Sequence, residues 1–307
     1  MDVDAIRRRR ALSRTLSRLA SAPVAEVLAH HSERAPSRPA WRIGVTGSPG
    51  VGKSTLIGRL ARHRLDRGAV ESMAVLAIDP TSPLTGGSLL GDRIRMDAAA
   101  DDPRLFIRSL PSRRSHDGLT DNLPDLLLAL EEHGFDEVLV ETVGIGQVEY
   151  TVRTLVDTVV LVLHPEAGDA VQAMKAGILE VADVYVVNKA DLPGARRTVA
   201  EIRAVAGRTV GDSGWAPPVV AVAHGEPAGL AALDEALDRH RAWLSGRRDA
   251  RAVARARARQ HALSLFIRRL EELADMTVPE LFDGRIDAIF DTIVQRLAGD
   301  RPGRDGA

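Results

Sequence analysis

One run constrains the fold of this chain more than any other: Gly47-Ser48-Pro49-Gly50-Val51-Gly52-Lys53-Ser54. It matches G-x-x-x-x-G-K-[ST], follows an apolar β-type stretch at 43–46 and opens a helical stretch at 53–67. That motif works only where a strand ends, a tight loop turns back and a helix begins. Its glycines let backbone N–H groups wrap phosphate oxygens, and the helix N-terminus adds positive potential. Lys53 is expected to neutralise the β and γ phosphates, and the Ser54 hydroxyl to ligate Mg²⁺. Ser48, Pro49, Gly50, Val51 and Gly52 form the cradle, and Thr55 completes the nucleotide-binding set.

The surrounding sequence has the matching rhythm. Short apolar runs at 43–46, 74–78, 105–107, 138–140, 159–163, 184–187 and 219–222 alternate with candidate helices near 53–67, 91–100, 119–133, 169–181, 195–206 and 228–244. Continuous apolar strands between helices predict an α/β fold, a mostly parallel sheet covered on both faces. Residues 4–34 read as two helices broken at Ser21-Ala22-Pro23, and 247–275 and 278–297 as two more. The expected organisation is an N-terminal helical extension (1–39), a P-loop domain (40–245), a C-terminal helical arm (246–298) and a disordered tail (299–307). The arm carries Leu263, Phe266, Ile267, Leu270 and Leu273 at helical spacing, a stripe that must be buried on its own domain or on a second subunit. The arginines at 247, 248, 251, 255, 257 and 259 are expected to line a solvent face or a dimer seam.

Composition narrows the chemistry. The chain of 307 residues can bury a core without disulfides or metal, and its lack of cysteine excludes a disulfide framework, a thiolate metal site and a cysteine nucleophile. Lys plus Arg (41) against Asp plus Glu (42) gives a net charge of −1, without the basic excess of a nucleic-acid binder. No apolar run approaches a transmembrane span and no secretory signal is visible, so the expected location is the cytoplasm, with neither nucleic acid nor membrane as partner.

Three further motifs fall at strand ends. Asn188-Lys189-Ala190-Asp191 follows 184–187. Guanine offers an N1–H and an exocyclic amine along one edge, and a carboxylate can accept both. Asp191 is therefore the expected guanine reader, Asn188 a support on the acceptor side, and the Lys189 stem a cover for the base. Glu141-Thr142-Val143-Gly144 follows 138–140. Glu141 stands where a Walker-B carboxylate holds Mg²⁺, Gly144 can turn its N–H toward a γ-phosphate, and Gln147 could orient water. The loop after 74–78 runs from Asp79 through Thr81, Ser82, Thr85, Gly86, Gly87 and Ser88 to Asp92. Its oxygens suit Mg²⁺ ligation and nucleotide sensing, and by chemistry alone it reads equally as a solvated turn.

Together the segments 44–54, 79–96 (with T-G-G-S-L-L-G-D-R), 141–149 (E-T-V-G-I-G-Q-V-E) and 188–192 resemble the MeaB/ArgK/MMAA GTPases, a metallochaperone-like group of P-loop GTPases. The resemblance extends from about residue 10 to 297 and is densest at 43–192. It implies a GTP-hydrolysing chaperone of an adenosylcobalamin-dependent acyl-CoA mutase, usually methylmalonyl-CoA mutase, that gates cofactor loading and protects the mutase. It implies a homodimer built through C-terminal helices. It places Asp79, Asp92 and Glu141 around Mg²⁺ with Ser54 as the direct loop ligand, and it marks Asp169, Gln172 and Lys175 as a switch facing the mutase. Lys53, Asp92, Glu141 and Gln147 are the expected catalytic set, with Gln147 and Asp92 as candidates to position water. Two departures stand out: Arg113, Arg114, Ser115 and His116 occupy an expected Gly-rich loop, and Ala223-His224 stands where a guanine-backing Ser-Ala is expected. The competing readings are a nickel- or cobalt-insertion GTPase, which would need a Cys/His site, and an ATP-dependent kinase of a periplasmic amino-acid transport system, against which Asp191 argues.

Overall fold

All seven apolar runs form strands in the computed structural model, which describes residues 3–32, 39–80, 102–112, 122–142, 148–165, 178–207, 214–247, 249–276 and 283–299. The strands are β1 (Trp41–Thr46), β2 (Met73–Pro80), β3 (Leu105–Ser112), β4 (Glu137–Glu141), β5 (Thr158–Leu163), β6 (Val184–Asn188) and β7 (Val219–Val222). They make one sheet in the order β3-β2-β4-β1-β5-β6-β7, and every pairing is parallel. β1 lies at the centre, so the loop that leaves its C-terminal end emerges mid-sheet, where ligands of open α/β sheets bind.

The helices are α1 (Val3–Leu19), α2 (Val24–Ser32), α3 (Lys53–Asp66), α4 (Leu123–His133), α5 (Val148–Leu155), α6 (Ala195–Ala206), α7 (Pro227–Ser245), α8 (Ala250–Asp275) and α9 (Ile286–Gly299). Alternate strand residues feed opposite cores, as the two-residue period of a strand requires. Val45, Leu139, Val160 and Val186 pack under α3 and α7 with Ile57, Leu60 and Leu233. Val138, Val140 and Val159 pack on the other face with Leu126, Leu130 and Val152, where α1 adds Leu12, Leu16 and Leu19. Gly44 allows α5 to approach β1, since a Cβ there would lie 2.7 Å from Val152 Cγ1.

Several boundaries differ from the sequence reading. β3 runs on to Ser112, α4 starts at Leu123, and of the helix expected at 278–297 the described part, α9, starts at Ile286 and continues to Gly299, with 277–282 outside the described residues. Of the helix expected at 169–181, only a 3-10 turn at Ile178–Glu180 falls among the described residues; the helix expected at 91–100 lies outside them. Arg257 also corrects an expectation. It turns from solvent to donate to Asp157 Oδ1 at 2.8 Å, because that carboxylate is buried and needs a counter-charge.

Polar groups buried at the N-terminal edge of the sheet hold the helices in place. Arg64 of α3, 1% exposed, donates to both oxygens of Glu137 (2.8 and 2.7 Å) and pairs with Asp234 of α7. Burial opposes the charge on Arg64, but the bonds to Glu137 and the charges of Glu137, Asp234 and Asp238 outweigh it and raise its pKa. Arg42 of β1 donates to Glu131 of α4 at 2.8 Å and to the Leu155 carbonyl at 3.2 Å. His261 and Arg268 of α8 both reach buried Asp125 of α4, at 2.7 and 3.6 Å.

Candidate functional site

The turn from β1 into α3 depends on glycine. Gly47, Gly50 and Gly52 have φ of 143°, 81° and 91°, in the left-handed half of backbone space that L side chains rarely adopt. At Gly47 the constraint is doubled, because a Cβ would collide with the Val162 carbonyl of β5. At Gly52 it would come within 2.7 Å of Asn188 Nδ2. Lys53 begins α3 and is buried; its ammonium donates to the carbonyls of Gly47 (2.7 Å) and Ser48 (3.1 Å). The charge is thus held inside the ring of loop backbone where phosphates of a nucleotide would sit.

Ser54 is next on α3 and also buried. Its hydroxyl donates to Glu141 Oε1 at 2.8 Å, linking the start of α3 to the end of β4. A hydroxyl and a carboxylate at hydrogen-bond distance, beside a phosphate loop, are the hard oxygen donors Mg²⁺ takes, so this pair fits the ion. Thr142 follows with its N–H on the Val45 carbonyl at 3.1 Å. Asp79 is described only in backbone, at the β2 position paired with Pro111. Asp92, Gly144, Gln147, Asp169, Gln172 and Lys175 lie outside the described residues, as do Arg113, Arg114, Ser115 and His116. Among the described residues no three His, Cys, Asp or Glu groups cluster at metal-binding distance.

The end of β6 meets the phosphate loop directly. Asn188 Nδ2 donates to the Val51 carbonyl at 2.7 Å, and Lys189 Nζ to the Gly50 carbonyl at 3.1 Å. Asn188 therefore ties the loop through its amide, a bond that sequence spacing did not anticipate. Lys189 has a φ of 53°, rare for a residue with a side chain, and this turns the chain so that Asp191 faces residues 223–224. The His224 N–H donates to Asp191 Oδ1 at 3.1 Å. That bond, with another from the backbone of Asp191 itself, holds the exposed carboxyl below its usual range, so it stays ionised at neutral pH. A backbone N–H thus anchors Asp191 where a Ser-Ala pair was expected. Arg59 of α3 lies against the same turn, with Nη1 3.5 Å from the Ala223 carbonyl.

Two glycines of the loop should respond differently to a methyl group. Gly47→Ala meets both positive φ and the Val162 carbonyl, and should abolish nucleotide binding and cost about 1–3 kcal/mol of stability. Gly50→Ala has nothing within 4 Å of its Cβ and carries only the cost of a left-handed residue, about 1–2 kcal/mol. Thermal denaturation and nucleotide binding by filter retention would check the order; a Gly50 variant that loses binding before the Gly47 variant does would contradict it.

Comparison with known proteins agrees with this geometry. The family model described as "Methylmalonyl Co-A mutase-associated GTPase MeaB" matches residues 13–277. A Pyrococcus abyssi protein assigned as a GTPase is 39% identical over 84% of this chain and 78% of its own length. A Mycobacterium tuberculosis protein, also assigned as a GTPase, is 44% identical over 67% of this chain and 62% of its own length, so the match spans under two thirds of that relative. The mitochondrial methylmalonic aciduria type A homolog of Caenorhabditis briggsae is 44% identical over 49% of this chain and 36% of its own. Among solved structures, the crystal structure titled LAO/AO transport system kinase superposes with a TM-score of 0.58 at 25% identity, covering 96% of this chain and 94% of that one. A P-loop at the centre of a parallel sheet, an N-K-x-D turn joined to it and a family match over most of the length have one common explanation: the chain is a P-loop GTPase and belongs to the MeaB family of methylmalonyl-CoA mutase-associated GTPases.

Proposed function

We propose that this GTPase is a nucleotide-operated chaperone of an adenosylcobalamin-dependent acyl-CoA mutase, methylmalonyl-CoA mutase first among them, and that it gates cofactor loading. The observation that carries the reading is the joining of the phosphate loop to the Asn188-Lys189-Ala190-Asp191 turn, in a chain whose family description names that mutase. Loop N–H groups and Lys53 position the β and γ phosphates. Ser54 and Glu141 would hold Mg²⁺, joined by Asp79 and Asp92; when bound, the ion neutralises charge on the phosphate oxygens. Water, positioned by Gln147 or Asp92, attacks the γ-phosphorus in line. The bond to the β–γ bridging oxygen breaks, and GDP and phosphate result. Asp169, Gln172 and Lys175 report the nucleotide state to the mutase.

Guanine selection rests on Asp191, which accepts the N1–H and the 2-amino group. Its anchored, ionised carboxylate supports GTP over ATP. Asp191→Asn should weaken GTP about 10- to 150-fold, since a hydrogen bond to a charged group contributes about 1.5–3 kcal/mol. The same change should admit xanthosine triphosphate, because an amide can donate to the carbonyl that replaces the 2-amino group. Competition binding checks this, and wild-type protein that takes ATP as readily as GTP would return the reading to an ATP-dependent kinase.

The arm supports a homodimer. Phe266 and Ile267 of α8 are 59% and 58% exposed, and Phe290 of α9 is 65% exposed, while Leu273 of the same stripe is buried. A face of this kind marks an interaction surface. Phe266→Glu with Leu270→Glu should split the dimer and leave GTP binding intact. Sedimentation of wild type at the mass of one chain would end this assignment.

Coupling is tested by turnover. An arginine supplied to the γ-phosphate raises rates roughly 10³–10⁵-fold in other P-loop GTPases, so intrinsic hydrolysis should be slow and rise when the purified mutase is added. Lys175→Ala should keep GTP affinity and lose most of that stimulation. Equal single-turnover rates with and without the mutase would refute the chaperone model.

A further inference from the structure

Far from the phosphate loop, at the opposite edge of the sheet, the first half of α8, from Ala250 to His261, crosses the domain and leaves a cleft of about 690 Å³. β1 starts in its wall at Trp41 and ends beside the loop at Thr46, so the two sites are separated by the length of a strand, about 20 Å. The volume is that of a small-molecule pocket. Its walls are largely apolar, from Leu128 of α4, Leu155 of α5, Leu244 of α7 and Val253 of α8. On α8 the facing positions include Ala250, Ala254 and Ala258, and these short side chains leave the space open where leucines would close it.

The polar part of the lining is mostly cationic. Among the described residues three guanidinium groups reach it, from Arg42, Arg241 and Arg257, against two carboxylates, Glu131 and Asp157. Each carboxylate already accepts from one of these guanidinium groups, Glu131 from Arg42 and Asp157 from Arg257, both at 2.8 Å. Arg241 reaches Glu137 at 3.0 Å, but that carboxylate is already bound through both oxygens by Arg64. Arg241 also lies over the Trp41 ring, 5.3 Å from its centroid. The Trp41 ring lines the cleft, and its indole N–H is buried with no acceptor among its neighbours.

We infer that this cleft is a binding site for an amphiphilic organic carboxylate, its aliphatic body against the apolar walls and its head beside Arg241 and the Trp41 indole. The two carboxylates already in the wall favour a monoanion over a more highly charged phosphate. A ligand there touches both α8 and the start of β1, and so fixes the arm against the sheet independently of nucleotide.

The test is isothermal titration of the full-length protein with decanoate. Wild type should show saturable binding near one per chain. Decanol, with the same body and no charge, should bind about 10- to 150-fold more weakly, the range for losing a hydrogen bond to a charged group. Arg241→Gln should weaken decanoate by a similar factor, and Ala254→Phe, which fills cleft space and removes no charged group, should abolish binding while GTP affinity is retained as the sign of a folded chain. Absence of saturable decanoate binding to wild type overturns the proposal, as does decanol binding equal to decanoate. Binding undiminished in Arg241→Gln, or in a folded Ala254→Phe, also overturns it. So does a change in sedimenting mass on Ala254→Phe without ligand, which would mean that a second copy of the chain fills the cleft.

Discussion

The approach of Gly47 to the Val162 carbonyl is the constraint on which the rest of the site depends. β1 and β5 are neighbours at the centre of the sheet, and the loop leaving β1 must pass over β5 with no room for a side chain. Because it can, the Gly47 and Ser48 carbonyls turn inward onto the Lys53 ammonium, and α3 starts with Lys53 and Ser54 both buried. The bonds from Asn188 to Val51 and from Lys189 to Gly50 then join the phosphate loop to the Asn188-Lys189-Ala190-Asp191 turn. A shift of the loop by one methyl group would disturb every one of these contacts.

The same helix is pinned at its other end. Eleven residues after Lys53, Arg64 is enclosed by Glu137 of β4 and Asp234 of α7. A guanidinium this deeply buried is stable only with its donors satisfied and its charge met, and losing one partner would leave the others uncompensated. α3 is therefore clamped between a phosphate loop at one edge of the sheet and an ion cluster at the other.

Much of the fold was legible in the sequence, because a strand buried on both faces must be a continuous apolar run. The runs at 159–163 and 184–187 announced β5 and β6 to within a residue. Within the run expected at 278–297 the described helix begins at Ile286, after 283–285 in non-α conformation, and residues 277–282 lie outside the described residues. In the site, Lys53, Ser54, Glu141 and Asp191 stood out in the sequence by residue type and motif spacing, and the structure places Lys53 in the loop and Ser54 against Glu141. The His224 N–H on Asp191 did not stand out, because a backbone donor leaves no trace in residue identity.

By itself the sequence determined the class of chemistry: a glycine-lined phosphate loop, an acidic residue at a strand end and the N-K-x-D pattern at another, each a local pattern enforced by bonding geometry. Tertiary structure decided which distant residues complete it. Arg64 and Arg257 lie in charged helical sequence, yet one is enclosed with Glu137 and the other turns inward to Asp157. Asn188, expected as a support beside the base, also ties the phosphate loop through its bond to the Val51 carbonyl. The cleft beside Trp41 exists only because α8 crosses the sheet with alanines toward it. The reason is the same in each case. A pairing between residues about a hundred positions apart depends on how elements pack, and no local period or motif records where a helix will come to rest.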